Sequence, residues 1–252
     1  MRWYNVIVRF IVAAALFSTP PAAAADGLVV SAALSLKAPF EEIARRFEET
    51  RGVKVSFNFA ASGVLQKQIE HGAPVDVFAS ASPSETAALD RLGLLVESTR
   101  RDFSGNSPVL VVAADSRGRV PGFGELAGKT IERIAIGNPS SVPAGKYAAE
   151  TLRGLGLYDA VKEKLVFCEH VRQVMDYVIR GEADAGIVFR TDALANARQL
   201  RIAAEAPEES HSPVVYSIAV VKGTRQEPAA RAFLLFVTSD EGSKVLKRYG
   251  FR

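Results

Sequence analysis

Three short stretches of this chain have residue types suited to holding an anion with neutral donors: Ala32-Ala-Leu-Ser-Leu36, Ala60-Ala-Ser-Gly-Val64 and Ser141-Val-Pro-Ala-Gly145. Each is built from small or apolar residues and serine, with no charge at its centre. In the third, Pro143 suits a first helical turn because its missing N–H would have no partner within the helix, and Ala144-Gly145 leave the neighbouring amides uncovered. Exposed amides at a helix start attract an anion. Ser35 and Ser62 allow two roles, capping their own helices by accepting from backbone amides or turning their hydroxyls outward as donors.

Such a site selects by protonation state. A fully deprotonated oxyanion accepts at every oxygen, whereas a protonated one brings a hydrogen that meets only donors. Metal-oxide dianions fit this requirement, and hydrogen phosphate fits it less well. With roughly 1.5–3 kcal/mol for each hydrogen bond to a charged group, five to seven of them offset the ordering cost and reach micromolar or tighter binding.

Other reactive residues point nowhere comparable. Cys168-Glu-His170 places a thiol and an imidazole on one side of an extended segment, but neither an electropositive setting nor a third, orienting group is signalled. Cys168 is expected to pack as a small hydrophobe. His71, His170 and His211 are far apart and lack metal-ligand spacing, so they are read as solvated or capping residues, and no direct metal ligands or cofactor are expected.

The elements that must position the three turns alternate between short apolar strands and helical periods, the pattern of an α/β protein with mostly parallel sheet. Leu28 to Ser31, Val53 to Phe59 and Val75 to Phe78 read as strands in the first part, interleaved with a helix striped by Phe40, Ile43, Ala44 and Phe47 and one from Val64 to His71. Ser82-Pro-Ser-Glu85 reads as a capping box. The second part repeats the scheme with strands at Val109 to Val112, Ile134 to Ile136, Leu165 to Phe167 and Ala185 to Phe189, a helix from Pro143, and another striped by Val171, Val174, Met175 and Val178. Val214 to Val221 reads as a long strand leading to two closing helices. Asp115 to Gly128 reads as a loop with one helical turn.

Bulk properties narrow the class. Residues 1–25 read as an export signal, with Arg2 and Arg9 supplying positive charge ahead of the apolar run Phe10 to Phe17 and small residues Ala23-Ala-Ala25 at the end. That run is shorter than the roughly 20 residues of a membrane span. Without Arg2 and Arg9, the 31 basic and 28 acidic residues nearly balance, which argues against a nucleic-acid surface. Cys168 is the only cysteine, so no disulfide forms within the chain.

At the three turns and beyond, the chain resembles the periplasmic molybdate-binding proteins of ABC importers. The matching words include Ala32-Ala-Leu-Ser-Leu36, Phe59-Ala-Ala-Ser62, Gln68-Ile-Glu-His-Gly-Ala-Pro-Val-Asp76, Gly105-Asn-Ser107, Val142-Pro-Ala-Gly-Lys-Tyr147, Val171-Arg172, Gly186-Ile-Val-Phe189 and Lys247-Arg-Tyr-Gly-Phe251. The resemblance implies a two-lobed fold of the type II periplasmic binding proteins. Residues 26–106 and 217–252 would form lobe I and residues 107–216 lobe II. It further implies a monomer, exported to the periplasm, that closes over molybdate or tungstate and presents it to a membrane permease. Carried over by position, it implies ligand contacts from Ser35 and Ser62 through hydroxyl and amide, and from Ala144 and Val171 through amides. The fifth position, a tyrosine in well-known members, is Phe189 here, with Tyr147 as a local source of a replacement hydroxyl.

Two other classes are weighed against this. An enzyme on the same scaffold needs an acid, base or nucleophile at the turns, and a binder of organic solutes needs arginine for a carboxylate or acids and aromatics for an amine. Neither set stands at the turn centres. Sulfate or another oxyanion is the alternative within the same chemistry.

Overall fold

The computed structural model describes residues 27–116 and 120–252, so the stretch read as an export signal lies outside the described residues. Along the chain run β1 (Leu28–Ala33), α1 (Lys37–Arg51), β2 (Val55–Ala60), α2 (Ser62–Glu70), β3 (Val77–Ser80), α3 (Pro83–Arg91), β4 (Arg101–Asn106) and β5 (Pro108–Ala113). They are followed by β6 (Ile134–Gly137), α4 (Pro143–Gly154), α5 (Tyr158–Val161), β7 (Leu165–Cys168), α6 (Val171–Ile179), β8 (Ala185–Phe189), α7 (Arg190–Ala195), β9 (Leu200–Glu205), β10 (Val214–Val220), α8 (Glu227–Val237) and α9 (Asp240–Arg248).

The strands form two five-stranded sheets, ordered β2-β1-β3-β10-β4 and β7-β6-β8-β5-β9. In each, three neighbouring strands pair in parallel and the last two are joined through antiparallel ladders, so four of the five strands run in one direction and only β10 or β5 runs against them. The inner parallel strands β1, β3, β6 and β8 are small or apolar and almost wholly buried because helices cover both faces. Phe40, Ile43 and Phe47 of α1 are fully buried, and Phe47 meets Phe233 of α8 edge-on at 5.3 Å between ring centres. Val174, Met175 and Val178 of α6 are buried in the same way over the second sheet.

The chain passes from the first sheet to the second at Asn106-Ser107-Pro108 and returns between β9 and β10. Val214 already pairs with Asn106 in the first sheet. The return therefore joins the first lobe three residues before the expected position 217, because the ladder with β4 starts there. The capping box at Ser82 is only half realised: Ser82 accepts from the Ser84 amide at 3.2 Å, but Glu85 takes the Ser80 hydroxyl at 3.0 Å. The one helical turn expected before Gly128 is a 3-10 turn at Phe123–Ala127 whose Phe123 and Leu126 are buried.

Candidate functional site

The topology brings strand ends and helix starts to one place. β1, β2, β6, β7 and β8 end at the cleft between the sheets, and the turns after them open the 3-10 turn Leu34–Leu36, α2, α4, α6 and α7. Ligands of open α/β sheets lie outside strand carboxyl ends for this reason. Ser35, Ser62, Ala144, Val171 and Phe189, the five positions singled out in the sequence, all line one small cavity there. Thirteen residues line it, from both lobes, and none is Asp, Glu, Lys or Arg. The space open to the centre of a water-sized sphere is about 20 Å³. That is room for one small group, since a single water needs roughly 10–15 Å³ on this measure.

Neither serine caps its helix. Ser62 is the first residue of α2, and its Oγ accepts from the buried Ala81 amide at 3.1 Å. Ser35 sits inside the 3-10 turn, with its Oγ 3.0 Å from the Tyr216 hydroxyl. Asn106 Nδ2 donates to that same hydroxyl at 3.2 Å and to Thr191 Oγ1 at 2.8 Å, while Asn106 Oδ1 accepts from the Ser107 amide at 3.0 Å and fixes the orientation of the side chain. One arrangement satisfies the whole chain: Asn106 donates to Tyr216, and Tyr216 donates to Ser35. Both serine oxygens then accept from the protein, leaving each hydroxyl hydrogen free to point at a ligand. Burial above all pushes the Tyr216 phenol above its ordinary value, so it keeps the proton this chain requires.

The backbone supplies further donors. Helix starts leave their first amides without internal partners. Those of Ser35, Ser62, Ala144 and Val171 donate to no other described residue. At α4 the N-cap is Val142, which offers no side-chain acceptor. Gly145 has a second role that composition hides: an added Cβ would lie 1.9 Å from the Gly137 carbonyl oxygen, so glycine lets α4 start directly against the end of β6. At α6 the N-cap is His170, whose Nδ1 accepts from the Gln173 amide at 3.1 Å; its proton therefore sits on Nε2. His170 also lines the cavity, which its reading as a capping residue alone does not anticipate.

Phe189 is almost fully buried between Tyr147 and Tyr216, at 6.1 and 5.9 Å between ring centres. Tyr147 is not among the residues lining the cavity; its hydroxyl donates to the Pro213 carbonyl at 3.4 Å. The hydroxyl that meets Ser35 is that of Tyr216, a residue legible in the sequence only as part of a strand.

A larger groove of about 690 Å³ adjoins the small cavity and shares Leu34, Ser35 and Val171 with it. Charges stand there instead: Lys37, Arg172, Lys247 and Arg248 with Glu41 and the buried Asp192. Cys168 is buried, and desolvation pushes its thiol up to about 11, far from the thiolate that nucleophilic chemistry requires. Among the described residues no cluster of His, Cys, Asp and Glu could hold a metal ion, and no helix is long and apolar enough to cross a membrane.

Comparison with known proteins agrees with this geometry. The family model of bacterial extracellular solute-binding proteins matches residues 28–252. The chain is 37% identical to the molybdate-binding protein ModA of Haemophilus influenzae, over 91% of both chains, and 37% identical to that of Escherichia coli, over 99% of this chain and 98% of the other. The solved periplasmic molybdate-binding protein of Azotobacter vinelandii is 27% identical, with a TM-score of 0.78 over 89% of this chain and 98% of that one. A match spanning nearly every described residue, on a two-lobed fold with its cavity between the lobes, places this chain in the family of bacterial extracellular solute-binding proteins.

Proposed function

We propose that the protein captures molybdate, and tungstate with it, between its lobes and delivers the ion to the permease of an ABC importer. The observation that carries this reading is the convergence of four helix-start amides and two serine hydroxyls on a cavity without a charged side chain. Six donors with no acceptor among them match a dianion that accepts at all four oxygens. Relatives named for molybdate binding, similar over nearly their whole length, support the choice of ion.

Donors from both lobes reach one ion only when the lobes are together, so the ion binds the closed form more tightly and selects it. The protein acts as a monomer in the periplasm and catalyses nothing, since its work ends with release to the permease. Sulfate carries the same charge and the same four acceptors, so cavity size must separate it from the larger ions. Calorimetric titration with molybdate, tungstate, sulfate, phosphate and a panel of amino acids tests the reading. Tight binding of molybdate and tungstate, with weak or absent binding of phosphate, is expected; heat released only with an organic solute would replace it.

A further inference from the structure

Gly63, the second residue of α2, does not offer its amide to the cavity. The N–H donates across the cleft to the carbonyl of Ser141 at 3.0 Å, in the turn that precedes α4 on the other lobe. This backbone bond lies between the cavity-lining residues Ser62 on one side and Val142 to Ala144 on the other. There is no room for a side chain at position 63. An added Cβ would stand 2.7 Å from the Ser141 carbonyl oxygen, 2.9 Å from its Cα and 3.2 Å from its carbonyl carbon. All three are backbone atoms, so no rotamer change relieves the contact. Gly63 is not among the glycines with positive φ, so its own backbone does not call for glycine. Only the approach of the other lobe does.

We infer that Gly63 is a positioning residue that sets how closely the two lobes shut over the anion, an inference resting on the oxyanion reading above. Ordinary contact begins near 3.4 Å, so a methyl group at 63 must push the Ser141 turn back by about 0.7 Å. The Ala144 amide moves with that turn. A hydrogen bond near 2.9 Å stretched by that much leaves the useful range, and the bridge from Gly63 is lost as well. When the lobes are apart the same methyl group faces open cleft, and alanine favours the helix over glycine. Gly63→Ala therefore shifts two quantities in opposite directions, which a merely structural glycine would not.

The test compares wild type and Gly63→Ala by thermal denaturation without ligand, calorimetry with molybdate, and small-angle scattering with and without molybdate. The variant is expected to melt at the same or a higher temperature without ligand, to bind molybdate at least about 10-fold more weakly, and to compact less on binding. Undiminished affinity, full compaction, or a lower ligand-free melting temperature would overturn the inference. Hydrogen exchange in the wild type gives a readout that needs no variant: the Gly63 amide should slow when molybdate is added, and unchanged exchange at saturation would also overturn it. A wild type that ignores molybdate defeats the oxyanion reading itself, whereas a wild type that binds beside an equally tight variant defeats only the role of Gly63.

Discussion

Replacing Ser62 with alanine separates the role the structure shows for its hydroxyl from the ligand contact proposed for it. Ser62 is fully buried, its Oγ holds the Ala81 amide at 3.1 Å, and its hydrogen is left for the ligand. Ser62→Ala strands the Ala81 N–H in a buried position, which costs about 1–3 kcal/mol of stability. For a chain of this size each kcal/mol moves Tm by roughly 2–4 °C, so a fall of roughly 2–12 °C follows. Removing one donor to a charged ion costs a further 1.5–3 kcal/mol or so of binding, an affinity loss of about 10- to 100-fold. Scanning calorimetry of the ligand-free protein reads the first effect and titration with molybdate the second. A lower Tm with unchanged affinity would reduce Ser62 to a structural residue and refute its place in the site. Unchanged Tm would refute the part assigned to Ala81.

Two further perturbations probe the walls of the site. Phe189→Tyr puts a phenol on a ring that lines the cavity, and titration should show molybdate binding tightened by about 10- to 100-fold as one charge-assisted donor is gained; unchanged or weaker binding would mean that the ion's oxygens are already met without it. Asp192 supplies a pH dependence. Desolvation raises its carboxyl from 3.8 to about 7, against the lowering effects of a Phe189 backbone hydrogen bond and the Arg172 charge. Between about pH 4 and 7 the folded protein keeps a proton that the unfolded chain has released, so stability falls as pH rises through that window and levels off above it. Asp192→Asn has no such dependence: its Tm relative to wild type should be higher at pH 8 than at pH 4, and an equal difference at both would contradict the burial argument.

Much of the fold was legible because its central strands and covering helices are apolar with clear periods, as in β1, α1, α6 and β8. The strands that went unread, β4 with Arg101 and Asp102 and β9 with Arg201 and Glu205, lie at sheet edges. Edge strands face solvent and carry charge, which removes the apolar signal. The cavity-lining positions were legible through small-residue turns and the family resemblance, but the way the serines are used was not. Local rules favour a serine at a helix start as a cap, whereas Ser62 is claimed by Ala81 and Ser35 faces Tyr216, which is 181 residues away in sequence. Gly63 and Gly145 likewise owe their identity to backbone on another element, Ser141 in one case and Gly137 in the other. No window of sequence contains both halves of such a contact.

The central claim is that peptide and hydroxyl dipoles alone hold the dianion. A crystal structure of the protein grown with molybdate tests it most directly. The ion should sit in the small cavity with its oxygens within about 2.7–3.2 Å of the Ser35, Ser62, Ala144 and Val171 amides and both serine hydroxyls. An ion found instead in the adjoining groove, paired with Lys37, Arg172, Lys247 or Arg248, would contradict it.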